Sequence, residues 1–166
     1  MKNKIASLAQ IAELLQTHQA TIPEEYLDEM GHMNVMWYTH LFSNAMRQMF
    51  RQVGIDNSYM ESEQAGTFAL ETHVHYFSEV RVNQQVEIYT RILGRSGKTI
   101  HSFHYMINRD KNDIAAVFEA ISAHTDMTVR RSAPFPARVC ERIDQLIAKQ
   151  GRLAWKSKIC GVIHVE

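Results

Sequence analysis

The segment from Met36 to Val53 constrains this chain more than any other stretch. Met36, Trp37, Leu41, Phe42, Ala45, Met46, Met49, Phe50 and Val53 recur at helical spacing and cover well over half the circumference of one helix. Asn34 stands where an N-cap belongs, and Gly54 where a left-handed residue would end the helix. A helix of about 19 residues is roughly 28 Å long. Apolar on most of its sides, it needs cover on most of its sides, so the rest of the chain must wrap it.

Strands are available for that. Thr67 to Phe77 is rich in Phe, Val, Thr and Tyr. Val86 to Leu93 alternates, Gly94-Arg95-Ser96-Gly97 reads as a turn, and Lys98 to Asn108 alternates again. A polar turn from Asn108 to Asp113 leads into Ile114 to Arg130. There Ile114, Val117, Phe118 and Ile121 also fit a helical period, but hairpin spacing and the β-branched stretch Thr125 to Val129 favour strand. Pro134 and Pro136 end the sheet, and Val139, Ile143, Leu146 and Ile147 predict a helix within a C-terminal segment 137–166. At the other end Ile5, Leu8, Ile11, Leu14 and Leu15 predict an amphipathic helix within 1–20, followed by a short extended piece from Thr21 to Tyr26 interrupted by Pro23. No repeat or linker divides the chain, so a single domain over 1–166 is expected. The pattern alone gives an α+β class with an antiparallel sheet. A sheet curled around the buried central helix is its natural closure, and its free edges predict a homodimer or a dimer of dimers.

Charge narrows the function. Eighteen basic residues balance eighteen acidic ones, which predicts neither a nucleic-acid partner nor an anionic membrane surface. No stretch reaches the ~20 consecutive apolar residues of a membrane span. The amphipathic start does not read as a signal peptide. Cys140 and Cys160 lack paired metal-type spacing, and a reduced, cytoplasmic setting is expected.

The chemistry concentrates where the long helix opens. Asp28 stands three residues before Gly31 in the loop Leu27-Asp28-Glu29-Met30-Gly31-His32-Met33-Asn34. A helix start carries unpaired N–H groups and the positive end of the dipole, which can polarise a carbonyl. A carboxylate beside it can attack that carbonyl or activate water. Gly31 would permit a close turn and backbone approach. An Asp that merely caps a turn fits these residues as well.

Asp28-x-x-Gly31-His32-Met33-Asn34 followed by Tyr38 resembles the signature of the 4-hydroxybenzoyl-CoA thioesterase group of hotdog enzymes. The resemblance implies the hotdog fold: a curled antiparallel sheet wrapped around a central buried helix, here with extra N- and C-terminal helices. It also implies an acyl-CoA substrate, with Asp28 as nucleophile or general base and a backbone donor around Asn34 or Val35. That group commonly has a further Asp two positions earlier, where this chain has Tyr26. Later pieces follow in order: Glu71-Thr72-His73 with Tyr76, Lys98 to His104, Glu119 with His124 and Asp126, and Ala133-Pro134-Phe135-Pro136. This series is similar to the betainyl-CoA thioesterases of carnitine breakdown, over Ile22 to about Arg142. Those relatives have an aromatic residue and Asn where Glu29-Met30 stand here, and Trp37 is not expected of them.

The remaining motifs have plainer readings beside them. Gly94 to Thr99 imitates the end of a phosphate-binding loop, but Ile92 occupies the position of the required first glycine and a strand pattern follows. No Gly-x-Ser-x-Gly elbow is present. His73, His75, His101, His104 and His124 fall on neighbouring strands without a tight ligand motif, so no metal or other cofactor is expected. His32 and Asn34 are read as bracing the loop, with His32 also facing substrate. Glu71 and His73 either line the pocket or form a solvent-facing row. Arg130 and Arg131 are candidates for CoA phosphates or an ordinary solvated pair. Trp37, Tyr38 and Tyr76 are candidates for an aromatic surround of a trimethylammonium group, or simply core aromatics. Hydrolysis of a short acyl-CoA is the expected activity, with a non-catalytic acyl-CoA binder and a hotdog hydratase or dehydratase as alternatives.

Overall fold

The computed structural model describes residues 6–163 and 165. The central helix α2 runs over Val35–Gln52, with Asn34 as N-cap accepting the Met36 N–H at 2.9 Å. Gly54 follows with φ +88°, the left-handed conformation expected of it. Strands β2 (Ala65–Tyr76), β3 (Gln85–Arg95), β4 (Thr99–Asn108) and β5 (Asp113–Asp126) follow in turn, then the two-residue β6 (Arg131–Ser132) and helix α4 (Ala137–Gly151). With β1 (Leu15–Thr21) they form one antiparallel sheet in the order β1-β3-β4-β5-β2, with β6 paired to the end of β5. The sheet curls around α2 in the hotdog arrangement. Leu41, Phe42, Ala45 and Met49 of the helix pack in one cluster with Ile88, Ile100, Met106 and Phe118 of the sheet, and Phe42 stacks on Phe118 with ring centroids 5.0 Å apart. Burial of that face is what holds the helix in place. Cover is incomplete at the first turn, where Val35 and Met36 are exposed.

The N-terminal segment differs from the expected helix. Only Leu8–Ile11 (α1) is helical, a single turn closed by a capping box from Ser7. Leu15–Thr21 is instead strand β1, paired with β3 from Leu15↔Thr90 to Thr21↔Gln85. Ile5, part of the expected helical pattern, lies outside the described residues. The backbone groups along the open edge of β3 supply a ladder of partners, interrupted by a register shift at Thr17, which is buried there with its hydroxyl 2.7 Å from that of Thr90. Ile11 and Leu14 still pack as a hydrophobic face, over Phe103, Tyr105 and Val117 on the outer side of the sheet.

Other boundaries moved for local reasons. Glu24–Tyr26 is a 3-10 turn rather than an extended piece. Helix α3 (Asn57–Glu63), absent from the sequence reading, is polar apart from Tyr59 and Met60 and is capped by Asp56, whose side chain accepts the Tyr59 N–H. The expected strand from Ile114 to Arg130 stops at Asp126, because the Asp126 carboxylate turns back to accept the Thr128 N–H and Arg130 takes φ +53°. Gly94 and Arg95 still pair in β3, and the hairpin turn to β4 is Ser96 to Lys98, with Ser96 N–H bonded to the Thr99 carbonyl. Among the described residues no helix is long and apolar enough to cross a membrane.

Candidate active site at the opening of α2

The loop before α2 is held almost entirely by backbone. Asp28 N–H donates to the His32 carbonyl (2.9 Å) and Gly31 N–H to the Asp28 carbonyl (3.0 Å). Met33 N–H reaches the Val80 carbonyl (2.7 Å), and Asn34 N–H the Tyr26 carbonyl (2.9 Å). Gly31 sits at φ +78°, and a Cβ there would meet nothing within 4 Å. The turn therefore needs glycine for its dihedral angles, and no neighbouring protein atom requires the missing Cβ.

This frame sets the Asp28 side chain. Its Oδ1 accepts the Met30 N–H at 2.9 Å, and its Oδ2 lies 3.3 Å from His32 Nδ1. Asp28 lines an open depression together with Leu27, Glu29, Met30 and Asn34. The two amides named as possible donors differ in availability. Asn34 N–H is already bonded to Tyr26, Met36 N–H is taken by the Asn34 side chain, and Trp37 N–H by the Asn34 carbonyl. Val35 N–H has no partner among the described residues, so it is the first-turn donor left for a ligand.

From Val35 an exposed stripe at four-residue spacing, Thr39, Ser43 and Arg47, runs down α2. The last three line a cleft of about 340 Å³ between α2 and the sheet, closed on the far side by Thr67, Thr72 and Phe118. The sequence reading missed these cleft residues. Their four-residue spacing is visible in the sequence, but which side of the helix stays open depends on where β2 and β5 lie.

The expected aromatic group divides in two. Tyr38 is buried and meets Tyr76 edge to face at 5.1 Å, and burial pushes its hydroxyl pKa up to about 12. Trp37 instead stacks on Tyr26 at 3.7 Å with an interplanar angle of 8°, and His40 packs edge-on against that pair. Glu71 and His73 stand opposite Ile121 and Glu119 of β5, whereas Thr72 faces the cleft between them. The two candidates therefore point to the outer side of the sheet, away from α2. Arg130 and Arg131 are exposed.

The histidines also separate. His104 is fully buried between the hydroxyls of Thr90 (2.7 Å) and Ser102 (3.0 Å), and desolvation lowers its pKa to about 3. His124 bonds to the Tyr59 hydroxyl (2.8 Å) and the Ala133 carbonyl (3.0 Å). On the outer side, His73, Glu119 and Cys160 come together with possible ligand atoms within 4.8 Å of one another, a grouping that the sequence reading did not anticipate.

Sheet, buried helix and loop together define a hotdog protein of the thioesterase kind. The Thioesterase-like superfamily profile matches residues 22–143, and the chain belongs to that superfamily. It is 27% identical to the betainyl-CoA thioesterase of Pseudomonas aeruginosa over 136 residues, covering 82% of this chain and 86% of that protein. A Staphylococcus aureus protein solved in complex with CoA superposes with a TM-score of 0.81 at 22% identity, over 92% of this chain and 97% of its own. The DHNA-CoA thioesterase of the same organism superposes with a TM-score of 0.74 at 14% identity, over 89% and 95%. At those identities the two structures speak for the fold.

Proposed function

We propose that this protein hydrolyses a short acyl-CoA thioester to the free acid and CoA, with Asp28 as nucleophile or general base. The observation that carries this reading is the Val35 N–H, unpartnered among the described residues, at the start of α2 and next in the chain to Asn34, which lines an open depression with Asp28. A thioester carbonyl oxygen accepting from Val35 N–H becomes more electrophilic at carbon, and the developing oxyanion is stabilised by the same donor and by the helix dipole. Either Asp28 attacks that carbon, the CoA thiolate leaves and water then hydrolyses the acyl–Asp28 anhydride to the free acid, or Asp28 takes a proton from the water that attacks and passes it to the departing thiolate. His32 and Asn34 act as positioning residues, one against the Asp28 carboxylate and the other as the helix cap. Thr39 lies one turn, roughly 6 Å, beyond Val35, so a short acyl group would lie along the stripe and enter the cleft.

The betainyl-CoA thioesterase relative makes betainyl-CoA the first substrate to test. One observation favours a neutral short acyl group instead: Arg47 lines the cleft, and its cation repels a trimethylammonium head. The two split cleanly against 3,3-dimethylbutanoyl-CoA, which has the same shape without the charge. Aromatic recognition of the cation would favour betainyl-CoA by roughly 2- to 30-fold in kcat/KM. Equal or reversed rates assign the cleft to neutral groups. Thiol release across an acyl-CoA panel also tests the reading as a whole, because a non-catalytic binder, a hydratase or a dehydratase releases no thiol. We place a second copy of the chain along the outer edge of β2, which pairs with β5 on its other side and where Phe68 and Leu70 are exposed.

A further inference from the structure

We propose a divalent transition-metal site, of the kind suited to zinc, on the outer face of the sheet, with His73, Glu119 and Cys160 as ligands. The three come from β2, β5 and the segment after α4, so the site would tie the C-terminal segment to the sheet. Their donor atoms lie within 4.8 Å of one another. A tetrahedral zinc with nitrogen, oxygen and sulfur ligands holds such atoms about 3.3–3.6 Å apart, so side-chain movement of about 1 Å would complete the set.

Three further observations point the same way. Glu119 is 1% exposed, and its carboxylate meets only an imidazole and an amide: His101 Nε2 at 2.8 Å and the Cys160 N–H at 2.6 Å. No Lys or Arg forms an ion pair with it among the described residues. A buried carboxylate that lacks a strong cation is costly, whereas a divalent ion shared with a Cys160 thiolate would leave the site neutral. Second, Cys160 Sγ accepts two backbone N–H groups, from Val162 at 3.4 Å and Ile163 at 3.5 Å, over a turn that Gly161 makes with φ +80°. Two amides bonded to one sulfur fix its position, as interactions beyond the ligands do in metal sites. Third, His101 holds Glu119 from behind, as partners beyond the ligands do in metal sites. His73 and Cys160 also line a depression of about 230 Å³ with His75, Phe77 and Lys158, from which solvent would supply a fourth ligand. A thiolate, an imidazole and a carboxylate together suit zinc rather than calcium or magnesium.

The test uses the whole protein, stripped by chelation and kept reduced, and titrated with Co²⁺ and then Zn²⁺. One Co²⁺ per chain should bind with a near-ultraviolet thiolate charge-transfer band that Zn²⁺ displaces. Zn²⁺ at a hundredfold excess over its Kd should raise Tm by about 5–10 °C. Cys160→Ser should remove the band while leaving the circular dichroism unchanged, and Cys140→Ser should leave the band in place. His73→Ala and His101→Ala should each weaken binding by about 10- to 100-fold. The assignment is overturned if no band forms, if the band persists in Cys160→Ser, or if Zn²⁺ leaves Tm unchanged. None of these readouts depends on thioesterase activity.

Discussion

Replacing Asp28 by Asn isolates the charge at the helix mouth from the geometry that holds it. Asn is isosteric, and its Oδ1 can still accept the Met30 N–H that Asp28 accepts at 2.9 Å. The bonds from Asp28 N–H to His32 and from Gly31 N–H to the Asp28 carbonyl are backbone and survive unchanged. What disappears is the negative charge and its contact with His32 Nδ1 at 3.3 Å. Stability should therefore stay within about 0.5 kcal/mol of wild type, which is a Tm shift of about 2 °C or less. Turnover should fall at least ~100-fold, the lower end for a lost general base and about 2.7 kcal/mol of transition-state stabilisation. With the cleft and the Val35 N–H untouched, KM should change little, so the loss falls on kcat. Thiol release from one well-turned-over short acyl-CoA measures both constants, on freshly purified protein, because slow deamidation regenerates Asp. A folded variant that keeps a third of the wild-type kcat refutes Asp28 as the catalytic group.

Other expectations follow from the same geometry. His104 has its pKa lowered to about 3 by burial, so the unfolded chain takes up that proton first as pH falls through about 6.5. Stability present at neutral pH is then lost progressively down to about pH 3, with about 2 kcal/mol gone by pH 5. Urea midpoints at pH 7.5 and 5 should show this fall in wild type and a shallower one in His104→Gln; equal slopes would remove His104 from the account. The unpaired edge of β2 predicts a dimer or dimer of dimers, and light scattering that returned a monomer at micromolar concentration would contradict it. Turnover through Asp28 should survive prolonged chelation, since the His73, Glu119 and Cys160 cluster is across the sheet from α2. Loss of rate at a temperature well below Tm, restored by zinc, would place the ion in the chemistry.

Short-range signals made α2, its cap and the hairpins legible in the sequence. Asn34 caps α2 and Gly54 ends it through interactions within a few residues, and the alternation in β3 reports a strand with one face on the core, whereas β4, which also alternates in sequence, is buried along its whole length. Gly31 and Asp28 are readable for the same reason, because the turn they form closes on itself. The tertiary structure decided everything that depends on a partner distant in sequence. Leu15 closes a helically spaced apolar series yet opens the strand Leu15–Thr21, because β3, some 70 residues away, offers a free edge of backbone donors and acceptors. Asn34 and Val35 are equivalent donors in sequence, and only the Tyr26 carbonyl, reached by the fold of the loop, takes one and leaves the other free. Glu71 and His73 carry no mark of which face they occupy; register with β5, shifted by the irregularity between Ala69 and Glu71, sends them outward. The grouping of His73, Glu119 and Cys160 has no spacing motif at all, since three separate segments bring it together, and packing alone sets those distances.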